Sequence, residues 1–217
     1  MYRTYGKRAL DVLLVVPTLV LFAPVMAFLA ALIRLKMGSP VVFAQERAGK
    51  DGKPFKLYKF RSMTNARDAQ GNLLPDEQRL TPLGRWLRST SFDELPQLFN
   101  VLRGEMSLVG PRPLPMRYID RYTPEQRRRL DVLPGLTCEA VLHGRSNQTW
   151  EAILAHDVWY VDHIDLWTDL RIIFGTVRVV LAREGVERSA NGQIPEFLGV
   201  LAQTQASSSE ARRVGQS

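Results

Sequence analysis

Two adjacent carboxylates, Asp93 and Glu94, stand where the sequence predicts the start of a helix. Pro96 indicates that start, because proline is tolerated in the first turn of a helix, where the backbone N–H groups have no intrahelical partner. Either Ser91 caps the helix and Glu94 completes a capping box, or Asp93 is itself the cap. Both alternatives place the carboxylates at the positive end of the helix dipole, where anions are stabilised. A capping box with no chemical role has the same spacing, so the surrounding residues must decide between the two interpretations.

Arginines lie on both sides of this pair in the sequence. Arg85 and Arg88 precede it, and Arg112 follows it within the sequence Gly-Pro-Arg-Pro at residues 110–113. The two prolines restrict the backbone around Arg112, and an arginine that is already held loses less entropy when it binds an anion. The alternative is a rigid turn in which the arginine has no such role. The arginines favour a functional site over a simple cap.

A further basic residue lies on a predicted β-hairpin. Residues 41–45 and 55–60 read as short strands joined by a glycine-containing turn. Period-two alternation places Lys59 on the same face as Phe55 and Leu57, and a lysine on an apolar face needs an anionic partner. If the strand ends before Lys59, the ammonium group is instead solvated.

The overall charge favours an anionic partner. The chain of 217 residues carries a formal net charge of +7, which points to nucleic acid, a membrane surface or phosphorylated substrates. Nucleic acid is disfavoured, because there is no helix-turn-helix signature and no run of aromatics interleaved with basic residues. The single cysteine, Cys138, excludes an internal disulfide, and the histidines show no zinc-like spacing with it. A bound metal is therefore expected to be a hard, oxygen-liganded ion such as Mg²⁺.

The segment at residues 9–35 is strongly apolar, and residues 12–33 carry no charge. A continuous helix over that uncharged core would be roughly 33 Å long, about the thickness of the hydrocarbon layer of a bilayer. Pro24 interrupts its middle, Pro17 is a further break, and both flanks are basic. Because basic residues prefer the cytoplasmic side, two basic flanks favour a hairpin that bends at Pro24 and leaves by the face it entered. A kinked transmembrane helix remains the alternative.

The remaining pattern predicts an α+β fold. It is a mostly helical small globular domain with a short β-hairpin, anchored by an N-terminal re-entrant membrane hairpin. Helices are predicted from about residue 94 to 102 and at residues 123–132, 150–160 and 166–183. The predicted divisions are the membrane segment at 1–36, a cytoplasmic domain at 37–188 and a flexible tail at 189–217.

Five blocks, in this order, resemble the bacterial sugar transferase family, and more narrowly its small monotopic phosphoglycosyl transferases. They are Lys7-Arg8-x-x-Asp11 at the start of the apolar segment, residues 56–63 (KLYKFRSM), 91–100 (SFDELPQLFN), 106–113 (MSLVGPRP) and 134–137 (PGLT). The resemblance covers roughly residues 2–185.

The resemblance implies transfer of a sugar-1-phosphate from a UDP-sugar to undecaprenyl phosphate, with release of UMP, at the cytoplasmic face of the bacterial inner membrane. This reaction initiates the assembly of a membrane glycoconjugate. It also implies a re-entrant helix, and it makes Asp93 the nucleophile that forms a covalent aspartyl phosphosugar. Mg²⁺ would offset the repulsion between that carboxylate and the diphosphate, with Glu94 as its ligand and Asp93 as a candidate to share it. The sequence leaves the oligomeric state open, a dimer included.

Basic residues would then bind the donor. Arg88, Arg112 and Arg145 are expected to clamp phosphates, and Lys59 to supply a point charge. Before Arg145 the chain departs from the family, because residues 138–143 (CEAVLH) replace the usual glycine, glutamine and asparagine positions. We expect this segment to shape the nucleotide-sugar pocket. A degenerate, non-catalytic family member acting as a membrane-anchored scaffold is the alternative function.

Overall fold

The computed structural model describes residues 1–144, 148–182 and 196–199. Its α-helices are α1 (Lys7–Met37, entered through a π-helical turn at Tyr2–Gly6), α2 (Asp76–Arg79), α3 (Pro82–Thr90), α4 (Gln97–Arg103), α5 (Pro124–Arg127), α6 (Glu139–Leu142), α7 (Trp150–Asp162) and α8 (Leu166–Leu181). Its strands are β1 (Val42–Ala48), β2 (Pro54–Phe60), β3 (Ser107–Val109) and β4 (Gly135–Thr137). Short 3₁₀ turns lie at Lys50–Gly52, Phe92–Glu94, Met116–Arg121 and Arg128–Leu130. The described residues are mostly helical with little sheet, as the predicted α+β class requires.

Two small sheets hold the strands. The predicted hairpin is confirmed: β1 and β2 pair antiparallel, from Val42 opposite Phe60 to Ala48 opposite Pro54. The second sheet joins β3 and β4 in parallel and was not predicted. A parallel pair links segments that are distant in the chain, so no local turn signal announces it.

The predicted helix over residues 150–160 is confirmed as α7, and the one over 166–183 is confirmed as α8 up to Leu181; residue 183 lies outside the described residues. The predicted helix at 123–132 is shorter, because α5 passes into a 3₁₀ turn at Arg128–Leu130. Its capping box is present as expected: the Thr123 hydroxyl accepts from the Gln126 N–H, and the Gln126 side chain accepts from the Thr123 N–H.

Helix α1 is long and apolar enough to cross a membrane, by length and composition. Nevertheless it packs along one stripe against the rest of the chain. Val15 belongs to a buried cluster with Leu57, Val101 and Met106, and Leu29 and Ile33 belong to a second one with Phe60 and Leu87. The opposite face is exposed and apolar; its most exposed large side chains are Leu13, Val20, Leu21, Phe28 and Leu35.

Both ends of α1 are also fixed by polar contacts. At its start, Lys7 forms an ion pair of 2.7 Å with the buried Asp169 of α8. Asp11 accepts hydrogen bonds from the Ser107 hydroxyl and the Leu108 N–H. At its end, the Met37 carbonyl accepts a hydrogen bond of 3.1 Å from Arg61. The two ends are therefore attached to the same domain.

The structure has one helix over this region, where the sequence predicted a helix, a break and a second helix. Pro17 and Pro24 lie inside α1 without interrupting it. A proline removes one backbone hydrogen bond and kinks a helix, but packing on one face can hold the turns on either side in register. The re-entrant bend at Pro24 stays a prediction.

The predicted tail lies outside the described residues, apart from residues 196–199. Those four residues return to the domain, where Phe197 is fully buried against Tyr118, Tyr122 and Leu154.

The Lys7–Asp169 contact yields a prediction about stability. Asp169 also accepts hydrogen bonds from the Tyr2 and Tyr160 hydroxyls, at 2.5 Å and 2.6 Å. Asp169→Asn should lower the free energy of unfolding by about 3 kcal/mol, because it leaves a largely buried ammonium without its counter-charge. Chemical denaturation of the detergent-solubilised protein measures this. In the control Asp162→Asn, which affects an exposed pair with Arg128, the midpoint should hardly move.

Candidate active site

The carboxylate pair lies in a single 3₁₀ turn, Phe92–Glu94, between α3 and α4. Neither predicted cap is present: Pro96 occupies the N-cap position of α4, and Ser91 makes no capping hydrogen bond. The reason is that Ser91 terminates α3 in the left-handed conformation, at φ 59°, whereas a side-chain N-cap needs an extended backbone. Asp93 is buried at 7% exposure, and Glu94 is partly exposed.

Lys59 faces both carboxylates. Its Nζ lies 2.6 Å from Glu94 Oε1 and 3.8 Å from Asp93 Oδ2. The residue is inside β2, one position before its end, so the strand does not stop short of it. The predicted anionic partner of Lys59 is thus the carboxylate pair itself.

Arg112 makes the second contact with this pair, at 3.2 Å from its Nη2 to Glu94 Oε1. Its backbone is fixed as the sequence predicted, because Pro111 and Pro113 are buried and the Arg112 carbonyl accepts a hydrogen bond of 2.6 Å from Arg129.

Backbone hydrogen bonds that continue the pairing of β3 with β4 hold the turn that carries Arg112. The Gly110 N–H bonds to the Thr137 carbonyl at 3.0 Å, and the Gly135 N–H to the Pro111 carbonyl at 2.9 Å. A Cβ on Gly135 would lie 2.1 Å from the Gly110 nitrogen, so only glycine permits this approach.

Arg88, in the last turn of α3, is close enough for its charge to lower the pKa of Asp93. Its Nε donates a 3.0 Å hydrogen bond to the buried Ser62 hydroxyl, which follows β2. The structure therefore brings Lys59, Arg88 and Arg112 close to the carboxylate pair, and their roles stay predictions. Arg145 lies outside the described residues.

Burial and charge move the two carboxyl pKa values apart. Burial raises the pKa of Asp93 to about 6; the charge of Glu94 adds to the rise, and Lys59 opposes it. Burial also acts on Glu94, but the charges of Lys59 and Arg112 outweigh it and lower its pKa to about 2. Glu94 is accordingly ionised throughout the physiological range, while Asp93 changes charge near pH 6.

A cleft of about 50 Å³ opens beside this pair. It is lined by Arg47, Leu57, Lys59, Gln97, Arg112, Pro113, Gly135 and Leu136. Three of these side chains are cationic and none is acidic, so the cleft suits an anion.

Sequence reasoning missed Arg47, because the strand that carries it was expected to end at residue 45. Alternation along the longer β1 would have placed it on the face of Phe43 and Gln45. Its Nη2 donates to Gln45 at 2.7 Å, but its buried Nε has no hydrogen-bond partner among the described residues. Burial and the charge of Arg112 lower the pKa of Arg47. An anion bound in the cleft would accept a hydrogen bond from Arg47 Nε and would offset the lowering of the Arg47 pKa.

The atypical segment at residues 138–143 forms the short helix α6, which packs on α7 and α8. Its buried Glu139 bonds to Arg171 at 2.6 Å and to His143 at 3.0 Å. The cleft wall is made by Gly135 and Leu136, just before this segment. Whether the segment affects donor choice stays a prediction.

The described part of the chain contains no group of three or more His, Cys, Asp or Glu side chains that could hold a metal. Two carboxylates together with substrate phosphates are nevertheless a usual set of ligands for Mg²⁺. Asp93 and Glu94 therefore fit the ion by their chemistry, provided that a phosphate completes its ligands.

A family model described as bacterial sugar transferase matches residues 2–183. The chain is 50% identical over 193 residues to the sugar transferase EpsL of Bacillus subtilis (strain 168), covering 89% of this chain and 96% of that protein. It is 37% identical over 196 residues to the undecaprenyl-phosphate galactose phosphotransferase of Salmonella typhimurium (strain LT2), covering 82% of this chain and 41% of that protein. It is 39% identical over 181 residues to the UDP-glucose:undecaprenyl-phosphate glucose-1-phosphate transferase of Klebsiella pneumoniae, covering 79% of this chain and 39% of that protein.

The match thus spans almost all of the Bacillus protein and less than half of each of the other two. In all three it includes most of the present chain. The motif order had predicted the same family before any comparison. The family prediction is confirmed, and this chain belongs to the bacterial sugar transferase family.

Proposed function

We propose that this protein transfers a sugar-1-phosphate from a UDP-sugar to undecaprenyl phosphate and releases UMP. The observation that carries the proposal is the pair formed by the buried Asp93 and the partly exposed Glu94, which both face Lys59 of the cationic cleft and whose two pKa values are separated. Relatives whose names state undecaprenyl-phosphate sugar transfer support it.

Asp93 is the nucleophile in this proposal. Its carboxylate oxygen forms a bond to the sugar-linked phosphorus of the donor, the bond from that phosphorus to the bridging oxygen breaks, and UMP leaves with that oxygen. In the second step a phosphate oxygen of undecaprenyl phosphate attacks the same phosphorus. The bond to Asp93 then breaks, and the free carboxylate is restored. The contacts support this division of roles, since Lys59 and Arg112 lie 2.6 Å and 3.2 Å from Glu94, whereas Lys59 lies 3.8 Å from Asp93.

The cations bind and orient the donor diphosphate. Lys59 and Arg112 already lie at the carboxylates, and Arg47 extends the positive wall into the cleft. Arg88 and Arg145 are further candidates for phosphate contacts. Mg²⁺, held by Glu94 and Asp93, would supply charge that offsets repulsion between nucleophile and diphosphate.

The membrane arrangement proposed here is monotopic, on the cytoplasmic face of the inner membrane. Because Lys7 and Met37 are both attached to the domain, a crossing that separates the ends of α1 across a bilayer would break one set of contacts. Re-entry with a bend near Pro24 would instead place both ends of α1 on the same side of the membrane. The exposed face of α1 would then meet lipid beside the site, where the polyprenyl phosphate is anchored.

Asp93→Asn tests the nucleophile. UMP release from a panel of UDP-sugars, with Mg²⁺ and undecaprenyl phosphate, should fall about 10³-fold or more, since an amide cannot form the covalent intermediate. The exposed Asp131→Asn is the matched control and should retain full activity. A folded Asp93→Asn protein that retains activity excludes this role. No UMP from the unaltered protein with any donor would favour the membrane-anchored scaffold.

The pKa of Asp93 sets a pH dependence. Since this pKa is raised to about 6, the reactive carboxylate is lost as the pH falls through that value. We expect kcat/KM to fall about tenfold for each pH unit below it. In Lys59→Met the acid limb should move to higher pH, because Lys59 lowers the pKa of Asp93. An acid limb that stays in place in that variant would show that another group titrates.

Arg47 supplies a separate test of donor binding. Arg47→Gln should raise KM for the UDP-sugar about tenfold, because it removes a charged hydrogen-bond donor from the cleft. The effect on kcat should be smaller, since Arg47 makes no contact with the carboxylates among the hydrogen bonds and ion pairs of the described residues. Arg67→Gln, at an exposed position that does not line the cleft, is the control. Equal KM values for the two variants would contradict the assignment.

A further inference from the structure

The four residues Glu196–Gly199 lie beyond the region matched by the family, which ends at residue 183. They occupy a groove between the 3₁₀ turn Met116–Arg121 and helix α7. Phe197 is the centre of this contact, with 0% exposure. Its ring centroid lies 5.6 Å from that of Tyr118, 5.8 Å from that of Tyr122 and 5.6 Å from that of Trp150.

Polar contacts fix the same segment on both sides of Phe197. The Phe197 N–H donates to the Tyr118 hydroxyl at 3.3 Å, and the Phe197 carbonyl accepts from Arg121. The Glu196 carboxylate accepts from Arg117 at 2.9 Å and from Arg121 at 3.0 Å. Gly199 then adopts φ +90°, where a side chain would be strained. The segment is therefore held in the groove by the Glu196 carboxylate, the Phe197 backbone and the Gly199 conformation as well as by the buried Phe197 ring.

Neighbouring residues of the chain connect the groove to the cationic cleft. Ala48 and Leu114 belong to the same buried cluster as Phe197, and the Ala48 N–H bonds to the Leu114 carbonyl at 3.0 Å. Each is next to a cleft residue in the chain: Arg47 precedes Ala48, and Pro113 precedes Leu114. A shift of this cluster would move both walls of the cleft.

A second connection runs through a buried arginine. Tyr122, which packs on Phe197, accepts a hydrogen bond of 3.1 Å from Arg129 through its hydroxyl. Arg129 also pairs with Asp157 at 2.7 Å and donates at 2.6 Å to the Arg112 carbonyl. The position of Phe197 is thus linked to the backbone of Arg112 by three consecutive contacts.

We propose that Glu196–Gly199 is a C-terminal latch, whose Phe197 is a positioning residue that holds Arg47 and Arg112 in the geometry that binds the donor diphosphate. The inference rests on the proposed function in one respect, that the cations lining the cleft bind the diphosphate of the donor. The new element is that the donor-binding positions of Arg47 and Arg112 depend on Glu196–Gly199, which lies outside the residues 2–183 that match the family model.

UDP binding to the full-length protein in detergent, with Mg²⁺, tests the latch by calorimetry. Phe197→Ala should weaken the UDP affinity about tenfold, because displacement of a phosphate-binding arginine by a fraction of an ångström is costly. Leu198→Ala, at the neighbouring half-exposed position, is the matched control and should change the affinity less than twofold. A merely structural role would lower the fraction of protein that binds and leave the affinity of that fraction unchanged, and that result would overturn the proposal.

Tyr122→Phe is a second variant that tests the latch if Phe197→Ala does not fold. It retains the ring that packs on Phe197 and removes the hydroxyl that Arg129 contacts. We expect a UDP affinity about threefold weaker, and an unchanged affinity would overturn the link to Arg112. No UDP binding by the unaltered protein would count against the donor class and the latch together. Normal binding that is equal in all variants would count against the latch alone.

Discussion

Burying two adjacent carboxylates is unfavourable unless cations compensate them, and the central part of this structure is built around that compensation. Lys59 comes from strand β2, and Arg112 from the turn after β3. Arg88 comes from the end of α3, and its charge lowers the pKa of Asp93. Three segments that are separate in the chain therefore have to meet at one 3₁₀ turn, and this requirement fixes how the hairpin, α3 and the small parallel sheet pack together.

The cations lie closer to Glu94 than to Asp93, and this difference gives the two carboxyl groups different pKa values. Lys59 approaches Glu94 to 2.6 Å but Asp93 only to 3.8 Å, and Arg112 contacts Glu94 alone. Glu94 is consequently a stable anion. Burial raises the pKa of Asp93, and the nearby cations only partly offset that rise, which leaves a carboxyl group of raised pKa facing Lys59 of the cationic cleft. Neighbouring residues of like chemistry are thus given different properties by their surroundings.

The same domain that builds the site also constrains the apolar helix. Helix α1 is attached at Lys7, Asp11 and Met37, and the side chains between them pack on the domain along one stripe. Its other face remains apolar and exposed. A helix attached in this way presents a hydrophobic surface on the same domain that carries the carboxylate pair.

The sequence by itself determined the local features: the carboxylate pair, the fixed backbone of Arg112, the hairpin with Lys59, the amphipathic helix α8 and the order of motifs that identifies the family. Each of these depends on residues that are neighbours in the chain, where proline, glycine and periodicity act directly. Tertiary structure alone decided the rest. It used Ser91 to end α3 and thereby removed the predicted cap, paired β3 with β4, placed Arg47 in the cleft and returned Phe197 to the domain. The physical reason is that these outcomes depend on contacts between distant segments, whose energies no local pattern contains.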